Sequence, residues 1–548
     1  MAASSGAAGV WFRKCLRLHD NEALVKACAF SEVVPFFILD PHFNRSAVGV
    51  NRFAFLLQSL QDLDAQLRLR GSRLLVFQGR PHEVLADLFN GKAGVRLSRL
   101  YFEKDTEPYA RSRDVQVECL AKEHRVSIES FSGHTLLDID ATVANPKFKP
   151  PISMKSMQSI MTAAGPIRKP FDIPKIPPLN IEGFEVPKIS NIYSEVPTST
   201  GFPGGEQEAL SRLRHVCADA DYVCQFEKPK TASTGRPGCP WEPSTTGLSP
   251  YLKFGCLSVR TAWHAIDQCI RGKRHSEPPQ SLHGQMLFRE MFYLLGASVP
   301  NFDRNEGNSM CKPIPWGDNP VFLQAWQEGR TGYPFIDALM RQLNQTGYMH
   351  HLGRHAVACF LTRGDLWQSW TCGRDVFDKL LLDADWALNN GNWLWLAGVA
   401  PFSAPYFRIY DPCPGPNSSL NAEQTGEFVK HYVPELKGMP SKYLYKPWTA
   451  PLAEQKKAGC IIGQDYPKPI VDHKLAREEN LARFKAALNG QVLPEKFGCA
   501  TSDPGPMCSS LSKGRGKRAE VATLNTEPDE RKQRRWGKGP KDDTLAGG

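Results

Sequence analysis

The sequence predicts an α/β domain with a doubly wound parallel sheet, followed by a large all-helical domain. Over the first 135 residues, short and nearly continuous apolar runs alternate with amphipathic stretches. That alternation is typical of strands buried on both faces of a parallel sheet and joined by crossover helices. From residue 206 onward, apolar residues recur mainly with the 3.6-residue period of helices, and β-rich runs are few.

The predicted elements of the first domain alternate along the chain. We predict strands at 10–12, 33–39, 73–77, 99–103 and 127–131, and helices at 52–69, 81–89 and 107–124. The first strand is not followed by Gly-x-Gly-x-x-Gly. The sheet therefore lacks the fingerprint of a Rossmann dinucleotide-binding domain.

Composition shifts predict four regions. Residues 1–135 form the α/β domain, and 136–205 form an interdomain linker, because eight prolines fall within the 38 residues 166–203. Residues 206–495 form the helical domain. Residues 496–548 form a disordered basic tail that is rich in Ser, Gly, Pro and basic residues.

Charge and cysteine usage narrow the class of protein. The 67 Lys and Arg exceed the 57 Asp and Glu, which gives a net charge of +10 and favours an anionic partner such as nucleic acid. Fifteen cysteines without any Cys-x-x-Cys argue against a zinc ribbon or a thioredoxin-like redox pair. An odd and scattered set of cysteines suits a reducing compartment better than a disulfide framework.

We expect a soluble, intracellular protein without a membrane span or metal site. Residues 386–407 carry no charge over 22 residues, but three Asn and two Pro make them unsuitable for a helix in lipid. The N-terminus has no basic segment followed by an apolar one, so it does not resemble a secretory signal.

Tryptophan is concentrated in the helical domain. Seven of the twelve tryptophans lie within residues 316–395, namely Trp316, Trp326, Trp367, Trp370, Trp386, Trp393 and Trp395. Core packing is the ordinary explanation. The alternative is a series of oxidisable indoles that conducts electrons between the surface and a buried cofactor.

A histidine-rich segment spans residues 350–355. His351 and His355 are four residues apart and would share one face of a helix. A zincin-type site is disfavoured, since Leu352 stands where such a site has Glu and Arg354 would repel a dication. The pair is then either structural and hydrogen-bonded, or a proton-transfer pair.

Two polar segments are candidates for a binding pocket. Residues 383–393 combine Asp383 and Asp385 with several amides, which suggests a polar-lined pocket or an Asp- and Asn-rich helix cap. Residues 243–249 place hydroxyls and Gly247 before a helical pattern. Such a segment either binds phosphate or simply caps the helix.

Together with residues 11–21 (WFRKCLRLHDN) and 324–334 (QAWQEGRTGYP), these motifs resemble the cryptochrome/photolyase family over residues 9–490. The resemblance implies an α/β antenna domain, a long linker and a helical domain that binds a U-shaped FAD. It also leaves open a second antenna chromophore of the deazaflavin or folate type. Within the family, the sequence is most similar to the (6-4) photolyases and animal-like cryptochromes.

The resemblance assigns residues to FAD. Those next to its phosphates would be Thr245, Thr246, Gly247, Leu248 and Ser249. Asp383 would pair with Arg354, and Gln285 and Arg289 would lie at the cofactor. Asp385 would bond to the edge of the isoalloxazine ring, and Asn389 would face flavin N5, accepting from a protonated nitrogen or donating to a bare one. The electron chain would be Trp393, Trp370 and Trp316, with Trp367 as a fourth member.

The resemblance also suggests the reaction. His351 and His355 resemble the histidine pair of the (6-4) photolyases, and Gln285 stands where enzymes for cyclobutane dimers have Glu. This implies light-driven repair of (6-4) photoproducts, with an imidazolium as general acid. We expect negative charge on the bound lesion and its phosphates to raise the pKa of the catalytic histidine above its free value.

Two departures keep other functions open. Phe288 replaces the Trp expected before Arg289, which thins the aromatic wall for a lesion, and residues 404–410 resemble cyclobutane-dimer photolyases. One alternative is a repair enzyme with an additional photoreceptor role. The others are a blue-light receptor or circadian regulator without repair activity, acting through clock or transcription-factor partners, and a cyclobutane-dimer photolyase.

UV-damaged DNA is the expected partner. Lys228 and Arg408 are candidates for contacting phosphates, as are Lys230 and Lys253. Basic clusters at 513–518 and 531–535 are typical of a bipartite nuclear-import signal or of an arm that grips DNA nonspecifically. We expect a nuclear protein, with a cytoplasmic pool as well.

Overall fold

Five parallel strands form the sheet of the N-terminal part: β1 (Ala7–Phe12), β2 (Val33–Leu39), β3 (Leu75–Gln78), β4 (Leu97–Glu103) and β5 (Ser127–Phe131). Their order is β3-β2-β1-β4-β5, so the sheet is built outward in both directions from β1 and is doubly wound, as predicted. The structure is a computed structural model that describes residues 6–92, 94–228, 232–234, 239 and 242–492. The predicted basic tail and Lys230 lie outside these residues.

Twenty α-helices are described in the same ranges. Those around the sheet are α1 (Glu22–Ala27), α2 (Val50–Arg68), α3 (Pro81–Phe89) and α4 (Pro108–Glu123). The others are α5 (Ile139–Val143), α6 (Met154–Ala164), α7 (Glu206–Ala218), α8 (Ala220–Gln225), α9 (Ser249–Phe254), α10 (Val259–Ile270), α11 (Leu282–Ser298), α12 (Pro320–Glu328), α13 (Pro334–Thr346), α14 (His351–Cys359), α15 (Trp370–Leu380), α16 (Trp386–Leu396), α17 (Glu427–Tyr432), α18 (Ser441–Leu444), α19 (Leu452–Ala458) and α20 (His473–Leu488).

The region predicted as a linker, 136–205, is only partly irregular. It contains α5 and α6, and Ile139 and Met157 from these helices are buried in the core of the helical part. Both helices occupy stretches without proline, and α6 begins at a capping box formed by Ser153 and Ser156. The proline-rich stretch 166–203 contains a single 3₁₀ turn, Ile189–Asn191.

The sheet is buried on both faces. Alternate residues of β1 point to opposite sides, so that Trp11 packs with α3 and α4, whereas Val10 packs with α1 and α2. The core that contains Val10 continues into the helical part through Tyr251 and Ile266. The loop that follows β1 is therefore held between the sheet and the helices.

Asp20, in the loop after β1, joins the two parts through a buried ion pair. Its carboxylate accepts a hydrogen bond from Arg260 Nε at 2.8 Å and another from the Ser258 hydroxyl, and Asp20 is fully buried. Asp20 has φ +48°, a conformation that Asp and Asn tolerate better than other non-glycine residues.

Asp20→Ala is expected to lower the free energy of unfolding by about 3–5 kcal/mol, because it leaves the Arg260 guanidinium buried without its carboxylate. Burial alone would raise the pKa of Asp20, but Arg260 and Arg17 lower it below its usual range. The stabilisation is therefore present above about pH 4 and is lost as the pH falls through the lower, folded-state pKa. Urea unfolding at several pH values measures this loss.

The control is Asp20→Asn, which keeps the shape of the side chain and its backbone preference and should therefore lose less stability. Equal stability of Asp20→Ala and the unmodified protein would contradict the role of the pair.

None of the described helices is long and apolar enough to cross a membrane, and the uncharged segment 386–407 consists of α16 and the turn after it. Within the described ranges, His, Cys, Asp and Glu side chains do not group in threes as a metal ion would require.

Candidate functional site

A cavity of about 670 Å³ opens among α9, α11, α14 and α16. Its volume lies within the usual range of about 300–1,000 Å³ for small-molecule and cofactor sites. Every residue that the sequence assigned to FAD lines this cavity: Thr245, Thr246, Gly247, Leu248, Ser249, Gln285, Arg289, Arg354, Asp383, Asp385 and Asn389. His351, His355, Phe288, Lys228, Arg408 and Trp393 line it as well. Segments more than 150 residues apart in sequence thus meet at one site.

The hydroxyl-rich segment forms one wall and leads into α9. Gly247 has φ +63°, and a Cβ there would lie 3.3 Å from Arg212 Nη1, so the turn favours glycine. Thr245 Oγ1 lies 3.4 Å from the Tyr348 hydroxyl. The Ser249 hydroxyl is close enough to Asp383 to lower the pKa of that carboxylate. Residues with hydroxyl side chains therefore line the cavity at the start of α9, and hydroxyl donors suit phosphate.

Arg354 and Asp383 form an ion pair that also lines the cavity. Arg354 Nη2 lies 3.0 Å from Asp383 Oδ2, and Arg354 Nε donates to the Met349 carbonyl at 2.8 Å. Burial would raise the pKa of Asp383, but Arg354 and the Ser249 hydroxyl outweigh it and lower that pKa. Asp383 Oδ1 is buried and has no hydrogen-bond partner among the described residues.

Asp385 is the N-cap of α16. Its Oδ1 accepts from the N–H groups of Ala387 at 3.1 Å and Leu388 at 3.3 Å, and its Oδ2 accepts from the Tyr293 hydroxyl at 2.8 Å. The carboxylate is thus already engaged by the protein. A direct bond from Asp385 to the flavin stays a prediction.

Asn389 lies one turn into α16, and its amide has a defined orientation. Nδ2 donates to the Arg374 carbonyl at 3.0 Å, which leaves the amide oxygen as the polar atom available to the cavity. Of the two roles that the sequence left open, this orientation favours acceptance of a hydrogen bond by Asn389.

The histidine pair begins α14. The His351 and His355 rings lie 6.0 Å apart, and His355 Nδ1 lies 3.3 Å from the Tyr410 hydroxyl. His351 Nε2 is buried and has no hydrogen-bond partner within the described structure. Both rings face the cavity, so the pair is available to a ligand.

The free protein lowers the pKa of both histidines, which is the reverse of the raised pKa expected with a lesion bound. Burial and the nearby Lys228 ammonium are the main causes, with Arg354 contributing, and they lower the pKa of His355 to about 3 and that of His351 well below its usual value. Both imidazoles are therefore neutral at pH 7 until an anion offsets these cations.

Lys228, which the sequence analysis named as a candidate for contacting DNA phosphates, lines the cavity. It is half-buried, and burial together with Arg354 lowers the pKa of its ammonium to about 8. Its position, next to the histidines in space and far from them in sequence, suits contact with a group deep in the cavity. Arg408, by contrast, is exposed at the cavity edge, and its contact with phosphate stays a prediction.

The aromatic wall contains residues that the sequence analysis did not assign to the site. Phe288 packs against Trp395 with ring centroids 5.4 Å apart, and Trp395 lies 6.2 Å from His355. The sequence signal for Trp395 was its place in the tryptophan cluster, and the signal for Tyr410 was its place in segment 404–410. The wall that Phe288 thins is thus partly supplied by Trp395.

Gln285 is tied to the protein backbone. Its Nε2 donates to the Pro279 carbonyl at 2.9 Å. The amide oxygen is the remaining polar atom, so this position presents no carboxylic acid to the cavity.

The predicted electron chain is arranged in two parts. Trp393 and Trp370 are buried, and the Trp393 ring lies against Gly373, one turn after Trp370 on α15. Trp316 and Trp367 contact each other with centroids 4.9 Å apart. Trp316 is half-buried and Trp367 is 3% exposed, so Trp316 is the more exposed of the pair. Their order in electron transfer stays a prediction.

The polar atoms around the cavity suit FAD. Arg289 Nη2, Asp383 Oδ1, His351 Nε2 and Trp393 Nε1 are buried without a hydrogen-bond partner among the described residues. Buried polar groups are normally hydrogen-bonded, so a large polar ligand is expected to satisfy some of them. Hydroxyls for phosphates and aromatic rings for a flat heterocycle are both present.

Comparison with known proteins agrees with this site. Residues 8–172 match the family model for DNA photolyase, and residues 281–486 match the model for the FAD binding domain of DNA photolyase. A (6-4)DNA photolyase of Oryza sativa subsp. japonica is 45% identical over 501 residues, which cover 87% of this chain and 89% of the relative. Cryptochrome-2 of Gallus gallus is 44% identical over 498 residues, with 87% and 82% covered.

A solved structure has the same fold. The bacterial class III photolyase from Agrobacterium tumefaciens aligns with a TM-score of 0.74 at 29% identity. The alignment covers 89% of this chain and 99% of that chain. The second antenna chromophore stays a prediction for this chain. The family matches and the lengths covered show that the chain belongs to the photolyase/cryptochrome family and that FAD is its cofactor.

Proposed function

We propose that the protein uses light to repair (6-4) pyrimidine–pyrimidone photoproducts in DNA. The observation that carries this proposal is the pair His351 and His355, which faces the cavity beside Lys228 while Gln285 offers no carboxylic acid. A (6-4) photoproduct contains a group transferred between bases, so its reversal needs a proton as well as an electron. The relatives at 45% identity include a (6-4)DNA photolyase, which supports the same reaction.

The surroundings of the histidines indicate how the proton would be controlled. Reduced FAD supplies an electron when it absorbs light. Burial, together with Lys228 and Arg354, keeps the imidazoles neutral in the free protein. An anionic lesion close to Lys228 would offset the positive charge. His351 would then hold a proton only in the complex, with its unpartnered Nε2 as the donor atom. His355, fixed by Tyr410, would orient or resupply it.

The cavity is deep, so a lesion can reach it only outside the base stack. Flipping a damaged dinucleotide costs a few kcal/mol, which damage itself reduces. Arg408 at the edge would contact phosphate, and the Phe288 and Trp395 rings would contact the flipped bases.

We expect tighter binding to DNA that carries a (6-4) lesion than to intact DNA, with a steep salt dependence. Phosphate contacts release counterions, so affinity falls as salt rises, whereas the preference for damage comes from cheaper flipping. Fluorescence anisotropy with matched duplexes measures both effects. Arg408→Gln should weaken binding to both duplexes and reduce the salt slope by about one, whereas Lys26→Gln on α1 serves as a charge-matched control. Equal affinity for the two duplexes at moderate salt would argue against repair.

The function itself is tested with purified protein, blue light and oligonucleotides that carry either lesion. We expect restoration of (6-4) photoproducts and no change in cyclobutane dimers. Repair of cyclobutane dimers without repair of (6-4) photoproducts would show that the proposed substrate is wrong and that the cyclobutane dimer is the substrate.

A second candidate is a blue-light receptor or circadian regulator that acts through clock or transcription-factor partners. The cryptochrome relative at 44% identity and the replacement of a wall tryptophan by Phe288 favour it. Normal photoreduction of FAD without repair of either lesion would support this candidate. Light-dependent co-purification with a transcription factor would support it independently.

We also propose that the protein enters the nucleus through the basic clusters 513–518 and 531–535. Their spacing is typical of a bipartite import signal, and DNA repair requires nuclear access. Replacement of the four basic residues in 531–535 by Gln should move a fluorescent fusion to the cytoplasm. A nuclear fusion after that change would refute this import route.

A further inference from the structure

One lysine of the α/β domain reaches the flavin site of the helical domain. Lys14 follows β1, and its Nζ lies 2.9 Å from Asp105 Oδ2 and 3.2 Å from Glu107 Oε2, both in the loop after β4. The same Nζ lies 3.6 Å from Asp385 Oδ2 at the start of α16. Lys14 does not line the cavity, so it would act on bound FAD only through Asp385.

Asp385 sets the position of α16. Its Oδ1 caps the helix, and its Oδ2 accepts from the Tyr293 hydroxyl. Asn389 and Trp393 lie one and two turns further along α16. A carboxylate at a helix N-terminus interacts favourably with the helix dipole, and a protonated acid loses most of that interaction. The ionisation of Asp385 therefore affects where the flavin-facing side chains of α16 are held.

We propose that Lys14 is a positioning residue of the flavin site: its ammonium group keeps the Asp385 carboxylate ionised and in place at the start of α16. The proposal depends on FAD binding in this cavity and not on which lesion is repaired. A failed repair assay would leave it standing, and its own failure would leave the repair proposal standing.

The surrounding charges make Lys14 the principal counterion. Burial raises the pKa of Asp385, but Lys14 and then Lys253 lower it far below its usual range. Burial lowers the pKa of Lys14, yet Asp105, Glu107 and Asp385 outweigh it and raise that pKa well above its usual range. The titratable and charged groups near Asp385 and Tyr293 are Lys14, Asp105, Glu107, His134, Lys253 and Arg289.

Loss of Lys14 would leave the carboxylates of Asp105, Glu107 and Asp385 close together. Lys253 would then be the lysine that still lowers the pKa of Asp385. His134 does not replace Lys14, because burial and then Arg289, both of which remain when Lys14 is lost, lower its pKa. Burial and like charge would then raise the pKa of Asp385, and the site would take up a proton in the neutral or mildly acidic range. With Lys14 present, the carboxylate stays ionised throughout this range.

The test is the rate of FAD photoreduction by the full chain between pH 5.5 and 8.5, with FAD content and circular dichroism measured in parallel. We expect the photoreduction rate of Lys14→Met to fall as the pH falls, by up to about tenfold per pH unit below the new pKa of Asp385. The unmodified protein should show no such pH-dependent step in its rate. Lys14→Arg should restore the original profile. Lys14→Met combined with Asp385→Asn should show no step, because the group that titrates is gone.

Two controls separate this effect from general damage. Asp105→Asn removes a charge from the same cluster but leaves Lys14 beside Asp385, so it should keep the original profile. Lys26→Met changes an exposed lysine of the same domain and should do the same. A step in either control, or its absence in Lys14→Met, would overturn the proposal.

If Lys14→Met loses FAD entirely, thermal unfolding of the apoproteins still tests the contact. Lys14→Met should then destabilise the original chain more than it destabilises the Asp385→Asn variant, since the two side chains interact directly. Equal destabilisation in both backgrounds would show that Lys14 does not act through Asp385.

Discussion

Trp370→Phe is expected to leave FAD bound and nearly abolish its photoreduction. Trp370 is fully buried at the start of α15, and the ring of Trp393 lies against Gly373 one turn later. An electron that moves from the half-buried Trp316 to Trp393 at the cavity wall would pass through this position. Phenylalanine fills most of the same volume but is far harder to oxidise than indole. Photoreduction under blue light, followed by the absorbance of FAD, measures the effect.

The fold should survive this substitution. Trp370 Nε1 donates to Asn305 Oδ1, and loss of this hydrogen bond costs about 1–3 kcal/mol. Trp326→Phe is the matched control, because Trp326 is equally buried and lies 6.3 Å from Trp393 but is outside the proposed series. Trp326→Phe should photoreduce normally. An unchanged rate in Trp370→Phe, or an equal loss in Trp326→Phe, would refute the proposed route.

The sheet could be predicted because buried parallel strands have a distinct local pattern. The runs at 33–39 and 127–131 coincide with β2 and β5, since each strand is apolar enough to be recognised without its neighbours. The first strand begins three residues earlier than predicted, at Ala7, where small residues carry little pattern. The helices at 139–143 and 154–164 were missed because the nearby prolines dominated the composition of that region.

In the cavity too, residues in local sequence motifs could be predicted, whereas contacts between residues far apart in sequence could not. Asp385, Gly247 and His351 belong to segments with recognisable local motifs, and the fold brings those segments together. Lys14 reaches Asp385 across 371 positions of sequence, and no spacing rule indicates such a contact. The lowered pKa values of the histidines also depend on the folded arrangement, because they come first from burial and then from Lys228, which is distant in sequence and close in space.

His351→Ala is expected to reduce (6-4) repair by about 10²–10⁴-fold, the usual contribution of a positioned general acid. His351 Nε2 has no protein partner, so its removal leaves no described donor or acceptor unsatisfied. FAD content, photoreduction and affinity for the lesion should therefore remain close to those of the unmodified protein. His355→Ala should impair repair more mildly, since His355 is held by Tyr410 and supports the first histidine. Single-turnover repair of a defined oligonucleotide measures both variants.

The pH dependence provides the sharper test of the acid. An imidazolium acts only while protonated, so repair should fall as the pH rises through the pKa that His351 has in the lesion complex. Lys228 lowers the pKa of His351 in the free protein, and Lys228→Met should therefore shift this decline to higher pH. The matched control is Lys26→Met, which removes an exposed positive charge elsewhere and should leave the midpoint unchanged. Normal repair by His351→Ala would exclude this histidine as the acid. A decline at the same pH in Lys228→Met would show that its ammonium does not set the protonation of the pair.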